Sequence, residues 1–286
     1  MSFAQALALA VLQGVTELFP VSSLGQTILI PALLHWDNIN RSDPRFLAFV
    51  VVLHLGTALA LLLFYWRTWA KIARALVASV IRGKLGADPD EKLGWLLVVA
   101  TVPVGLLGVL LKDPVRTLFG SARLAALFLM LNAAVMFFGE YLRRRQKHQF
   151  HRADKRVETL TWLQSAGIGF GQALALFPGI SRSGVSMVAG LLADLNHEDA
   201  ANFSFLLATP VILAAGLLEV PELLVPGANV ALAQALAGGV VAGIAAYASV
   251  AFLVRYFRNN DLRPFGWYCL VFGALCFLLA TRGVIH

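Results

Sequence analysis

Residues 18–23 read Leu18-Phe19-Pro20-Val21-Ser22-Ser23, and residues 176–181 read Leu176-Phe177-Pro178-Gly179-Ile180-Ser181. Each sits inside a stretch that is otherwise apolar, Phe3–Leu34 for the first and Leu163–Leu195 for the second. Each stretch runs for about 32 residues, whereas two full membrane spans with a turn want about 45. Two half-length helices meeting at a polar tip fit that length better. Such backbone inside a bilayer must be buried in protein or line a water-filled cavity. Both tips are therefore expected to meet in one cavity and not to face lipid.

Outward from the tips, three long apolar runs follow each broken stretch. They are Phe46–Trp66, Leu93–Leu111 and Ala122–Tyr141 in the first half, then Asn202–Leu218, Leu232–Phe257 and Phe265–Ala280 in the second. Three is odd, so the second half must enter the membrane from the opposite side, the signature of an inverted repeat. The expected fold is an all-α polytopic membrane protein with six transmembrane helices and two re-entrant broken helix pairs. Residues 1–286 form one integral membrane domain in this reading, with halves 1–141 and 160–286 joined by a basic linker, 142–159.

Composition points the same way. Of 286 residues, 59% are hydrophobic and 14% charged, against about 25% charged in a soluble domain. Mean hydropathy is +0.75. An ordinary soluble enzyme, a disordered tail and a disulfide scaffold are excluded. The formal charge is +7, but the Lys and Arg residues lie between apolar runs, where they report topology and not nucleic acid. Sixteen follow the first, third and fifth runs and six, including Arg41, Lys112 and Arg116, lie on the other side. That places the first group in the cytoplasm and both termini outside. Trp69–Arg82 is amphipathic and is expected along the inner surface. Met1–Phe19 lacks the basic start of a cleaved signal. Cys269 and Cys276, seven apart on one helical run, stand too far apart for a disulfide. Glycine stripes at Gly105/Gly108 and Gly238/Gly239/Gly243 pack helices within one subunit or between two, which leaves a homodimer open.

The first tip carries Gln13 and Glu17, four apart on one helix face, then Ser22, Ser23, Gly25 and Gln26. A carboxylate at membrane depth is expensive and needs a partner. Ser22 and Ser23 precede a new helical run, so helix capping and an anion site at the helix start are both open. The second tip carries Gly179, Ser181, Arg182, Ser183 and Ser186. Arg182 costs several kcal/mol at that depth unless it meets an anion, and its fork matches phosphate oxygens. A salt bridge to Glu17 across the repeat interface and a bound phosphate are both compatible with it. His54, in the first long run, either hydrogen-bonds a backbone carbonyl or transfers protons. Asn132 and Gln234 suggest no function. His148, His151 and His197 lie in polar segments without metal-ligand spacing, and Asp88, Asp90 and Glu91 read as a loop cluster. No Gly-rich phosphate loop of the GxxxxGK type occurs.

These residues resemble the bacterial undecaprenyl-diphosphate phosphatase family, tied to bacitracin resistance, over essentially the full length. One family motif is Glu or Gln, three residues, Glu, then Pro-Val-Ser-Ser, here Gln13, Glu17 and Pro20-Val21-Ser22-Ser23. The other is Pro-Gly-x-Ser-Arg-Ser with a Thr three further on, here Pro178–Ser183 with Ser186 in the Thr place. The resemblance implies removal of the terminal phosphate from undecaprenyl diphosphate on the outer side of the bacterial inner membrane, recycling the lipid carrier for peptidoglycan synthesis. It implies Glu17 as acid/base or metal ligand, Ser23 as nucleophile and Arg182 as phosphate binder. Many members have His where this chain has Gln26, and an amide cannot exchange a proton usefully. His54 or Glu17 is expected to carry the proton instead.

A diphosphate brings roughly two to three negative charges. Arg182 supplies one positive charge and Glu17 adds a negative one, an unfavourable sum in a low-dielectric cavity. A divalent cation, Mg²⁺ or Ca²⁺, held by Glu17 and the Gln13 carbonyl, would correct it. Attack by Ser23 and direct attack by water are both open. A lipid-phosphate transporter or flippase of the same fold is the alternative function, since inverted repeats with broken helices are common in transporters. A lipid phosphatase with a downstream His-x-x-x-Asp is discounted, because Asp194 precedes His197.

Overall fold

A computed structural model describes residues 1–36, 38–39, 44–111, 115, 117–150, 154–223 and 232–285. Arg41, Lys112, Arg116 and Arg152 of the charge count, and His151, lie outside them. The described chain is helical: α1 (Phe3–Thr16), α2 (Ser23–Leu33), α3 (Pro44–Phe64), α4 (Trp66–Arg82), α5 (Pro89–Leu110), α6 (Ala122–Phe150), α7 (Trp162–Ala173), α8 (Arg182–Leu192), α9 (His197–Leu223), α10 (Leu232–Tyr256) and α11 (Arg263–Thr281). Five of these are long and apolar enough to cross a membrane, and α3 with α4 makes a sixth if that bent pair is one span. The chain is an integral, polytopic α-helical membrane protein.

Both broken stretches are half-length helix pairs, α1–α2 and α7–α8. Each pair opens on a capping box, Ser2 with Gln5 and Thr161 with Gln164, in which the cap hydroxyl and the third side chain satisfy each other's backbone amides. Each second half starts on a serine cap: Ser22 accepts from the Gly25 amide and Ser181 from the Gly184 amide. The packing of the two halves is reciprocal. Helix α1 lies on α10 and α7 lies on α5, while α3 lies on α9 and α6 on α11. At both crossings a glycine meets a backbone carbonyl, Gly14 against Ala242 and Gly169 against Ala100. Such an exchange of contacts is what two halves related by a two-fold axis would give.

Several local readings change. Helix α6 continues through Phe150, so the first part of the basic linker is helical; Arg, Lys and Gln are good helix formers. Asp88, Asp90 and Glu91 are not a loop cluster. Asp88 caps α5 and the other two occupy its first turn, where acids complement exposed amides and the helix dipole. Glu91 is buried against Arg82 and the Gly86 amide. His197 is not a solvated histidine. It donates from Nε2 to Glu140 at 2.7 Å and accepts from Arg143 at 2.9 Å. Glu140 also accepts from the Leu262 amide at 3.0 Å, so one buried carboxylate ties α6 to the starts of α9 and α11. Beside it, Asp154 bridges Arg143 and Lys147. Burial alone would raise its pKa, but the Lys147 hydrogen bond and the Arg143 charge hold it below the usual carboxylate value.

Helix α3 crosses α10 so closely that a Cβ at Gly56 would run into the Gly239 carbonyl. Gly56→Val is expected to destabilise the fold by about 1–3 kcal/mol or more, as overpacking does. The check is the thermal unfolding midpoint in detergent, with Gly105→Ala, whose Cβ meets no described atom within 4 Å, holding the wild-type value.

Candidate active site

The two tips converge. Glu17, which ends α1, is buried, and its two carboxylate oxygens face different groups. Oε1 accepts from Arg182 at the start of α8, from Nη2 at 3.2 Å and Nε at 3.4 Å. Oε2 accepts from Gln13 Nε2 at 3.0 Å and from Ser23 Oγ at 2.5 Å, and His54 Nε2 of α3 stands 3.3 Å from it. Gln13 lies one helical turn before Glu17 and so shares its face. Ser23 opens α2, where the turn of residues 17–22 folds it back onto the carboxylate. His54 donates from Nδ1 to the Val50 carbonyl at 2.8 Å, which leaves Nε2 as the nitrogen that can exchange a proton with the site.

Arg182 is loosely held. Its three hydrogen bonds, including one from Nη1 to the Ser204 carbonyl at 3.4 Å, are all longer than the usual 2.9–3.0 Å. A guanidinium has five N–H donors, so two have no partner among the described residues. Arg182 and His54 are also the more open members, with side chains 12% and 21% exposed against 7% for Glu17. An entering anion meets these two nitrogenous groups before it meets the carboxylate.

The other tip residues build the frame. Ser22 Oγ accepts from the Gly25 and Gly179 amides, both at 3.2 Å, and so joins one tip to the other. Ser22 itself takes φ +64°, a costly value for a non-glycine residue that these two hydrogen bonds hold in place. Gly179 has φ +111°, and a Cβ there would collide with α6 at Ala125, Phe128 and Leu129. Ser181 and Ser183 share a hydrogen bond at 3.0 Å, and Ser183 donates to the Phe19 carbonyl at 3.1 Å. Ser186 donates to the Arg182 carbonyl at 2.7 Å and lies 2.7 Å from Ser204 Oγ. Gln26 is placed apart from the Glu17 cluster. Its amide donates to the Val21 carbonyl at 3.1 Å and accepts from Tyr268 at 3.1 Å.

Two contributors escape sequence reasoning. Asn132, fully buried on α6, donates to the Pro20 carbonyl of one tip and accepts from the Ser181 amide of the other, both at 3.0 Å. Ser204 on α9 contacts Arg182 and Ser186. The signal for Asn132 was a lone amide in an apolar run. A cavity of about 690 Å³ lies elsewhere, among Arg143, His197, Glu198, Arg258 and Asp261, and includes no member of the Glu17 cluster.

Two oxygens could hold a metal. Gln13 Oε1 is buried with no hydrogen-bond partner among the described residues, and the Glu17 carboxylate is one helical turn away. Among the described residues no group of three or more His, Cys, Asp or Glu is arranged around a common metal position. The donor set therefore fits a hard cation such as Mg²⁺ or Ca²⁺ that completes its shell with water and substrate oxygens, and does not fit a closed structural site.

A family model described as bacitracin resistance protein BacA matches residues 6–275. The chain is 49% identical to an undecaprenyl-diphosphatase of Acidiphilium cryptum, over 97% of this chain and 98% of that one. It is 45% identical to an undecaprenyl-diphosphatase of Mycobacterium avium, over 96% and 95% of the two chains. It is 46% identical to a protein named undecaprenyl-diphosphatase 2 of Chromobacterium violaceum, over 96% and 98%.

The buried pair makes a direct demand on stability. Glu17→Gln leaves Arg182 facing a neutral amide and is expected to cost about 3–5 kcal/mol. Replacing both, as Glu17→Gln with Arg182→Met, is expected to recover most of that loss. Thermal midpoints of the two variants in detergent check the order.

Proposed function

This chain belongs to the bacitracin resistance protein BacA family, and from that premise we propose that it hydrolyses undecaprenyl diphosphate to undecaprenyl phosphate and inorganic phosphate. The observation that carries the reading is the arrangement on Glu17: a serine hydroxyl 2.5 Å from one carboxylate oxygen and an arginine on the other. A binding protein would need the arginine. It would have no use for a hydroxyl held against a buried base.

In the reaction we assign, the uncommitted N–H groups of Arg182 take the terminal phosphate. The first amides of α2 and α8 lack intrahelical partners and add partial positive charge there. Ser23 Oγ attacks the terminal phosphorus and passes its proton to Glu17 Oε2. The bond from phosphorus to the bridging oxygen breaks, and that oxygen leaves with the electron pair on undecaprenyl phosphate. Once Glu17 has given up that proton, water attacks the phosphorus and passes a proton to Glu17, the bond from phosphorus to Ser23 Oγ breaks, and Glu17 returns the proton to Ser23 Oγ as inorganic phosphate leaves. His54 Nε2, on the same carboxylate oxygen, exchanges the proton with the exterior. A bound divalent cation, held by Glu17 and Gln13 Oε1, would neutralise charge on the transferring phosphoryl group. The isoprenoid chain lies along the lipid-facing side of the helices, with only the head group at the tips. We assign the protein to the bacterial inner membrane with this site open to its outer side, supported by the excess of Lys and Arg on the opposite segments.

Phosphate release by purified protein in detergent tests the reading, because micelles allow no transport. Glu17→Ala is expected to lower kcat by about 100- to 10,000-fold, as loss of a general base does. Arg182→Ala is expected to lose about 100-fold or more. Wild-type protein without phosphate release, with the lipid phosphate still bound, would favour the transporter reading. Full activity in excess EDTA would remove the metal. Full activity of His54→Ala would remove that residue from proton exchange, and an active Ser23→Ala with no trapped phosphoserine would shift attack to water.

Asn132 registers the two tips without touching the carboxylate. Asn132→Asp keeps its size but sets an acceptor against the Pro20 carbonyl. It is expected to reduce kcat by about tenfold or more, the effect of misplaced catalytic groups, and both it and Asn132→Ala are expected to lower the thermal midpoint, because each leaves buried backbone groups unpaired. Steady-state phosphate release and unfolding in detergent check the two effects.

A further inference from the structure

Helix α4 presents three distinct faces. Ile72, Ala75 and Ser79 are buried, and this face packs on α5, where Trp95 donates to Ser79 at 3.1 Å. The next stripe is apolar and bare: Trp66, Val77, Val80 and Ile81 are 58–80% exposed. The third carries Arg67, Lys71 and Arg74, all exposed. Their spacing of three and four residues aligns them along one side of the helix. Arg67 stacks over Trp66 at 5.3 Å and Arg74 bonds its own helix, at the Ala70 carbonyl. Among the described residues no carboxylate pairs with these three cations, whereas Arg82 at the end of the helix is paired with Glu91.

The placement of α4 gives those faces a direction. It bends 83° from α3 at Tyr65, so if α3 crosses the bilayer, α4 lies near the membrane plane. Lys92 in the first turn of α5 donates to the Glu158 carbonyl at 2.7 Å, and Arg82 at the end of α4 pairs with Glu91 beside it, which puts that end of α4 at the same end of the molecule as the basic linker. A bare apolar stripe with a cationic stripe beside it, on a helix along the surface, matches lipid tails and headgroups respectively. A soluble phosphate would account for the cations and leave the apolar stripe unexplained. A second copy of the chain would have to bring acids to a row of three cations.

We propose that α4 is a binding surface for anionic lipid, with Trp66, Val77, Val80 and Ile81 among the acyl chains and Arg67, Lys71 and Arg74 on acidic headgroups of the leaflet at the linker end. Neutral lipid satisfies the apolar stripe alone. Acidic lipid satisfies both, so it is enriched along this helix, and the enrichment falls when salt screens the charges.

The test uses the full-length protein in bilayers where about a third of the lipid carries brominated chains, a quencher of tryptophan, on either phosphatidylglycerol or phosphatidylcholine. The contribution of Trp66 is the difference between wild type and Trp66→Phe. Quenching of Trp66 is expected to be about two- to fivefold stronger with brominated phosphatidylglycerol, approaching parity in about 0.5 M salt and in R67Q/K71Q/R74Q. Equal quenching by the two lipids in wild type would overturn the proposal. Absence of quenching by either would also overturn it, and would show the face covered by protein. Native mass spectrometry gives a second readout that needs no tryptophan variant. Wild type is expected to retain more phosphatidylglycerol per chain than R67Q/K71Q/R74Q, and equal retention counts against the surface.

Discussion

The ion pair between Glu17 and Arg182 is the constraint around which the rest is arranged. Either group alone at membrane depth is prohibitive, because desolvation removes several kcal/mol of hydration that lipid cannot replace. Together they tolerate burial, but only if α1 and α8 bring their ends to one place. Each helix therefore stops where it does, and its partner starts again beside it. The breaks expose backbone amides and carbonyls that also need satisfaction. Ser22 takes two of those amides, from Gly25 and Gly179, and Asn132 takes a carbonyl and an amide, one from each tip. The polar frame follows from the charge pair, and the surrounding spans follow from the need to keep both out of lipid.

Much of this was readable in the sequence, for a physical reason. Apolar runs of membrane length have few ways to fold, so α5, α6, α9, α10 and α11 were visible from composition alone. The short broken stretches were visible because polar residues such as Ser22 and Arg182 cannot face acyl chains. That argument says which residues must be inside. It does not say which partner each one finds. Asn132 lies 112 positions from Pro20 and 49 from Ser181, and nothing local in an alanine-rich helix marks it as the link between them. The bend at Tyr65 was legible in outline, since the apolar run ends in Trp66 and hands over to an amphipathic pattern suited to a membrane surface.

Gln26 and His54 show the same limit from the other direction. A family resemblance locates a histidine at position 26 and makes its replacement by glutamine look like a lost base. In the fold, Gln26 is fully buried and serves the backbone: it holds the Val21 carbonyl and is held by the half-exposed Tyr268. The imidazole nearest the carboxylate comes from α3, where His54 sat in the sequence as one polar residue among leucines and valines. Its Nδ1 is committed to Val50, as expected for a histidine on a helix bonding one turn back. The second nitrogen is what turns a structural histidine into one that can act.

The two oxygens of Glu17 then divide the labour. Oε1 faces Arg182, which in the proposed reaction grips phosphate, and Oε2 faces Ser23 and His54, which in that reaction attack and exchange protons. When substrate arrives, Arg182 can turn part of its fork from Oε1 to the phosphate, because its present bonds are long and two donors have no partner among the described residues. Weakening that contact concentrates negative charge on the carboxylate just as a proton must be taken from Ser23. In the proposed reaction, substrate binding and base strength would thereby be coupled through a single side chain. The pair that makes the buried fold tolerable is the same pair whose partial separation, in the proposed reaction, would make the carboxylate a better base.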